Sequence, residues 1–210
     1  TMKRYSWGLN PELNGHCVDE PCTRCFDVCP AREVPISRIE RTFFGRVAGE
    51  DGLPPELGVI RNVYSGHATD PEVHGASVSG GVVSSILIHA LEKGTIDGAV
   101  LAGYDTEQGW IATAKVATDR AGVLACAGSK YQPHAQLLGL DEAIRMGLKK
   151  IAITCTPCHA VAVRKMMMDE AFADIVALFQ HFTIRELVRF EIARARGTLS
   201  AAKLLGGLAG

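Results

Sequence analysis

The sequence predicts an α/β fold: a partly parallel sheet with flanking helices, preceded by a small cysteine-rich segment. Three observations carry that prediction. Helix-like and strand-like segments alternate from about residue 80 to residue 168. The strand-like runs are short and almost continuously apolar, as strands buried on both faces are. Four of the seven cysteines fall within Cys17–Cys29, ahead of the alternating region.

Each element follows from its local pattern. Ser79-Gly80-Gly81 precedes apolar residues at Val83, Ile86, Leu87, Ala90 and Leu91, a helical stripe that Gly94 stops. Asp97 to Ala102 reads as a short buried strand. The same grammar recurs: Leu137, Leu138, Leu140, Ala143 and Ile144 mark a helix ending at Gly147, and Lys150 to Thr154 a strand. After Thr156-Pro157 a further helix is expected over about 159–168. Alternation of this kind implies right-handed crossovers and a sheet at least partly parallel. A run at Ile175–Phe179 is strand-like, and about 183–196 is an amphipathic helix with Ile184, Leu187, Val188 and Ile192 on one face. Residues 1–62 are rich in Cys, Pro and charge and show little periodicity; Asp51–Pro55 reads as a connector. The division is therefore 1–62, a cluster-binding segment and connector, and 63–210, an α/β domain.

Composition narrows the function classes. Hydrophobic residues make up 47% and charged residues 21%, ordinary values for a chain that buries a core. A formal net charge of −1 gives no global electrostatic reason to expect nucleic acid or an anionic membrane as partner. No apolar stretch approaches the length of a membrane span. No charged-then-apolar leader opens the chain, and a cytoplasmic location is the expectation. In a reducing compartment, seven cysteines point to metal ligands or redox groups rather than to structural disulfides.

Cys22-x2-Cys25-x3-Cys29-Pro30 carries the sharpest local signal. Bacterial ferredoxin-type [4Fe-4S] sites run C-x2-C-x2-C-x3-C-P, and the last three cysteines and the proline keep that register. The first ligand should then be residue 19, which is Asp19; Cys17 lies two residues earlier and can substitute across a short loop. Thiolates this close in sequence converge on a cluster with little loop-closure entropy. Zinc remains open, although it favours two separated C-x2-C knuckles. A plant-type [2Fe–2S] site also remains open, since Cys17, Cys22 and Cys25 fit C-x4-C-x2-C, but its fourth ligand is normally remote. Four unmodified thiols are the bland alternative.

The second cysteine group is Cys155-Thr156-Pro157-Cys158-His159. It matches the C-x-x-C-H haem-attachment pattern and also a thioredoxin-like redox pair at a strand–helix junction. Covalent haem goes with export, for which no signal is seen. Cys126 is expected in the core, as free cysteines often are. The histidines His16, His67, His74, His134 and His181 show no ligand-like spacing, and Met166-Met167-Met168 reads as packing on a helix.

Taken in order, three motifs carry a resemblance. Gly80 to Val83 with Leu87 to Gly94 and Ile96 to Val100, then Gly128-Ser129-Lys130-Tyr131, then Thr156-Pro157-Cys158-His159 with Val163-Arg164-Lys165, resemble the coenzyme F420-reducing hydrogenase and dehydrogenase β-subunit family. With the ferredoxin-like segment the resemblance covers about residues 15–168. It implies an iron–sulfur flavoprotein: FAD, a [4Fe-4S] cluster on Cys17, Cys22, Cys25 and Cys29, and electron transfer between a larger redox subunit and a low-potential carrier such as coenzyme F420, ferredoxin or a reducible substrate. FAD would be held by Ser79, Gly80, Gly81, Val82, Ser129, Lys130, Tyr131 and Thr156, with Lys130 and Cys158 as the catalytic candidates. Glycines before a helix let backbone N–H groups approach a pyrophosphate. A lysine near the flavin would stabilise its reduced anionic form. Thr118 and Asp119 are candidates for the same pocket.

The chain also departs from the family pattern. It reads as a short or truncated member; Cys155 stands where the family often has Gly, and Gln180 where it often has Cys. Two other functions therefore stay in view: a non-catalytic electron-transfer or assembly subunit without flavin, and a thiol–disulfide oxidoreductase using Cys155 and Cys158.

Overall fold

The computed structural model describes residues 2–5, 8–11, 22–60 and 62–169. Cys17, the run 175–179, Gln180 and the helix expected over 183–196 lie outside the described residues.

A two-stranded antiparallel hairpin, β1 (Met2–Tyr5) with β2 (Gly8–Pro11), opens the chain. One helical turn, α1 (Arg24–Asp27), carries Cys25, the third of the clustered cysteines, and α2 (Ile36–Phe44) follows. The helix α2 was not anticipated; its short apolar face carries a charged residue, Glu40, buried beside Ile39, while Arg38 and Arg41 are exposed. Gly45, in the left-handed region at φ 75°, ends it. A 3-10 turn at Pro55–Leu57 begins where the expected connector Asp51–Pro55 ends.

The remaining elements form a three-layer unit. α3 (Pro71–Ala76) and α4 (Val82–Glu92) lead into β3 (Gly98–Tyr104). β4 (Ala112–Ala117), α5 (Arg120–Ala125), α6 (Leu138–Arg145), β5 (Ile151–Ile153) and α7 (Pro157–Met167) follow. The sheet order is β4-β3-β5. β3 pairs antiparallel with β4, Ala99 opposite Ala117, and parallel with β5, Ala99 opposite Ala152. The sheet is therefore small and mixed, with the parallel pair that the alternating pattern implies.

The period of two along β3 divides the core between its faces. Ala99 and Leu101 pack with Val73, Leu87, Ile88 and Val123, from α3, α4 and α5. Val100 packs on the other side with Leu140, Ala143 and Val163, from α6 and α7. Close approach of α6 to the sheet depends on Gly139, where a Cβ would stand 2.5 Å from Val100 Cγ1. Buried Gln136 ties the two parallel strands where their pairing ends: its Nε2 donates to Thr154 O at 2.8 Å and to Val100 O at 3.3 Å.

Candidate functional site

A cleft of about 430 Å³ opens beyond the carboxyl ends of the parallel pair, where Leu101, Ala102 and Thr154 form its floor. Ligands in open α/β sheets bind in this position, because the strand ends and helix N-termini leave backbone donors and a crevice there. One wall is the loop Ser77–Gly81 with the first turn of α4, and the other is Cys126–Ser129 at the end of α5.

The first wall is built around two glycines. Gly80 and Gly81 both take positive φ, and a Cβ on Gly81 would stand 3.0 Å from Ala68 Cβ and from Ser77 Oγ. No larger residue fits there without displacing α3. The loop is pinned by Ala68 N–H donating to Gly80 O, by Gly81 N–H donating to Ser79 O, and by Ser77 Oγ donating to Val73 O at 2.7 Å. Gly81 is the N-cap of α4 and offers no side-chain cap. The first-turn N–H groups of this eleven-residue helix are thus left for solvent or a ligand, and Val82, Val83 and Ser84 line the cleft. A helix start of this kind favours an anion.

The second wall is held by Lys130. Its Nζ donates to the carbonyls of Cys126, Ala127 and Gly128 at 2.6, 2.7 and 3.0 Å and lies 5.3 Å from the centre of the Tyr104 ring. Burial pulls its ammonium below the ordinary lysine range, with the Cys126 thiol opposing. The lysine thus closes the C-terminal end of α5 and fixes the loop that carries Gly128 and Ser129. Burial also pushes the Cys126 thiol up, against the pull of Lys130 and Lys115.

A salt-bridged brace joins the helices behind the cleft. Arg120 Nη2 lies 2.8 Å from Asp70 Oδ2 and 2.7 Å from Glu72 Oε2, linking α5 to α3. Asp70 also caps α3, and the bond from Arg120 is the main reason its carboxyl is held below the usual range. Asp119 is occupied in the same way, accepting from Gly122 N at 2.7 Å as the cap of α5. Neither Asp119 nor Thr118 lines the cleft.

Of the residues expected to hold a flavin, Ser79, Gly80, Gly81, Val82 and Ser129 line the cleft together. Lys130 acts from behind its wall. Tyr131 is 90% exposed and lies off the lining, as do Thr156 and Cys158 at the start of α7. Gly66, Leu101, Cys126 and Thr154 belong to the lining without having been singled out for it. The strand-end position of Thr154 was the available signal; the others are brought in by tertiary packing.

The cysteine-rich segment lies elsewhere on the molecule. Cys22 and Cys25 are exposed and Cys29 half-buried, all three as free thiols. As a donor set, three free thiols in eight residues suit a soft metal or an iron–sulfur cluster. Among the described residues no three His, Cys, Asp or Glu side chains converge as a metal site. Asp27, between Cys25 and Cys29, accepts from Thr23 Oγ1 at 2.6 Å and from Arg32. The segment is docked on α7 by Lys165, a lysine only 9% exposed whose Nζ donates to Cys29 O and Glu33 O, both at 3.1 Å. Arg164 adds a second contact, its guanidinium 4.2 Å from the centre of the Phe43 ring.

Comparison with known proteins places these features. Residues 63–140 match the family described as coenzyme F420 hydrogenase/dehydrogenase, beta subunit N-term. The chain is 34% identical over 115 residues to a coenzyme F420 hydrogenase subunit beta of Methanosarcina barkeri, covering 54% of this chain and 39% of that one. It is 39% identical over 112 residues to the corresponding subunit of Methanococcus voltae, covering 53% and 40%. A coenzyme F420-dependent sulfite reductase of Methanocaldococcus jannaschii is 27% identical over 157 residues, 74% of this chain and 22% of that one. Among solved structures, a chain of the F420-reducing [NiFe] hydrogenase complex from Methanosarcina barkeri superposes with a TM-score of 0.51 at 30% identity, covering 58% of this chain and 45% of that chain. The chain spans about two fifths of the length of the hydrogenase subunits it matches.

Proposed function

The chain belongs to the coenzyme F420 hydrogenase/dehydrogenase β-subunit family through residues 63–140, and on that premise we propose that it is an iron–sulfur flavoprotein component of an oxidoreductase complex. It would pass electrons between a larger redox subunit and a low-potential hydride carrier such as coenzyme F420. The observation that carries this reading is the cleft: a glycine loop and an uncapped eleven-residue helix facing the strand ends, inside the segment that matches the family.

The cleft suits FAD by the chemistry of its lining. The open N-terminus of α4, with Ser79, Gly80 and Gly81, would hold the pyrophosphate, and Val82 would flank it. Ser129 offers a hydroxyl from the facing wall. When bound, a flavin would supply the exchange between two-electron hydride chemistry and single-electron transfer. Lys130 would contribute positive charge and would fix the loop beneath it. Tyr131, Thr156 and Cys158 would take part only by approaching from outside the present lining. Cys22, Cys25 and Cys29, with Cys17, form the proposed [4Fe-4S] ligand set, and Lys165 holds its last ligand against α7.

Two substitutions test the flavin site. Gly80→Val removes the permissive conformation of the loop and should deplete flavin while iron is retained. Val83→Asp is the cleaner variant, because Val83 is exposed and an acidic residue in the first turn of a helix stabilises it by roughly 0.3–1 kcal/mol. The same carboxylate opposes a bound pyrophosphate by on the order of 1–3 kcal/mol, about 5- to 150-fold in affinity. Full flavin occupancy at limiting FAD in a folded Val83→Asp protein contradicts the site.

A further inference from the structure

None of the residues of the motif Cys155-Thr156-Pro157-Cys158-His159 lines the cleft. β5 ends at Ile153 and α7 begins at Pro157, so Cys155 lies on the turn from the strand and Cys158 in the first turn of an eleven-residue helix. Both are free and exposed. Thr156, the residue before the helix, makes no cap bond to the backbone. Its Oγ1 instead lies 3.1 Å from Cys158 Sγ and 3.1 Å from His159 Nδ1, so one hydroxyl joins the thiol to the imidazole.

We propose that Cys155 and Cys158 form a reversible dithiol–disulfide couple that exchanges with small-molecule disulfides, with Cys158 as the attacking thiol. Cys158 stands exposed at the second position of α7, at the start of the helix and 3.1 Å from the Thr156 hydroxyl, so its sulfur is open to an incoming disulfide. Cys155 is the resolving partner. Partial burial pushes its thiol up, and the neighbouring Cys158 sulfur adds to the effect, so Cys155 is the poorer first nucleophile.

The chemistry balances without a metal or cofactor. The Cys158 thiolate attacks one sulfur of a disulfide R–S–S–R, forming a Cys158–S–S–R bond and releasing R–S⁻, which takes up the Cys158 proton. The Cys155 sulfur then attacks Cys158 Sγ, forming the Cys155–Cys158 bond and releasing the second R–S⁻, which takes up the Cys155 proton. Two thiols are oxidised and one disulfide is reduced to two thiols. Cys155 directly follows Thr154 on the floor of the cleft, so the couple abuts the proposed flavin site.

A proteolytic fragment makes the test direct. Trypsin cuts after Lys150 and Arg164, and the peptide 151–164 contains Cys155 and Cys158 and no other cysteine. The full-length protein is equilibrated with reduced and oxidised glutathione at stepped ratios, quenched by alkylation, digested and weighed. The expected result is a peptide carrying two alkyl groups under reducing ratios. Under oxidising ratios it should carry none and be lighter than the dithiol peptide by two hydrogens, and dithiothreitol should restore the first state. The Cys155→Ser protein should instead accumulate one glutathione on Cys158, faster by tenfold or more than the Cys158→Ser protein does on Cys155. The proposal is overturned if the peptide takes two alkyl groups at every ratio. It is equally overturned if the thiols are protected without losing two hydrogens and become alkylated on iron chelation, or if Cys155 is the faster thiol.

Discussion

Gln136 offers the sharpest test of how the cleft floor is held. It is 2% exposed, and its amide group links Val100 of β3 and Thr154, just past β5, to the segment that leads into α6. Gln136→Met keeps the length and removes every side-chain hydrogen bond. Val100 O still accepts from Thr154 N–H at 3.0 Å, so it keeps a partner. Thr154 O loses its 2.8 Å donor, and His134 Nε2 loses the Gln136 oxygen at 2.8 Å. An unsatisfied buried carbonyl costs about 1–3 kcal/mol, and the half-buried state of Thr154 favours the lower part, about 1–2 kcal/mol. At roughly 2–4 °C per kcal/mol for a chain of this size, thermal unfolding should fall by about 2–8 °C. Gln136→Glu should cost more at neutral pH, because a carboxylate faces two carbonyl oxygens with no proton to give them. Circular dichroism during heating and in urea reads both. A Met variant as stable as the wild type, or a Glu variant more stable than the Met one, refutes the reasoning.

Further outcomes follow from the same contacts. Cys25→Ala should abolish the cluster, measured as iron and acid-labile sulfide per chain; full iron content in that variant removes the ligand assignment. Gly139→Ala places a Cβ 2.5 Å from Val100 Cγ1 and should destabilise the fold by about 1–3 kcal/mol in urea titrations, as overpacking does. Asp70→Asn keeps a capping oxygen but removes the charge that Arg120 holds. The folded carboxyl titrates below its unfolded value, so its contribution is present above the unfolded pKa and is lost as pH falls through the folded one. The wild-type advantage over Asp70→Asn should therefore be full at neutral pH and vanish in acid; an advantage that persists there contradicts the pairing. If the chain works in a complex with a larger redox subunit, light scattering on natively purified material should show a heteromeric mass, and a monomer that reduces a deazaflavin unaided argues against it.

The parts of the fold legible in the sequence were those with strong period and clean stops. α4, β3, α6, β5 and α7 lie within a few residues of their expected positions, because apolar stripes end at Gly94 and Gly147, both at positive φ. α3 and α5 are six residues each, too short for a stripe, although Asp70-Pro71 and Asp119 are the caps that start them. β4 alternates small residues with Thr113 and Lys115 and carries almost no hydrophobic signal. At the site, the glycine loop was readable because positive φ restricts those positions to glycine. The bond network of Lys130 was not, since nothing local tells an anchoring lysine from a flavin-facing one. Cys126 and Thr154 enter the cleft through contacts between elements far apart in sequence.

The central claim is that one chain holds a flavin in the α/β cleft and an iron–sulfur cluster on the Cys22–Cys29 turn. The most direct measurement is the absorption spectrum of the full-length protein purified without oxygen, with flavin released by acid and counted beside iron and sulfide. The account predicts about one FAD and one four-iron cluster per chain, with flavin depleted at limiting FAD in Val83→Asp and iron lost in Cys25→Ala, each independently of the other. A folded protein that carries neither flavin nor cluster after anaerobic reconstitution contradicts it.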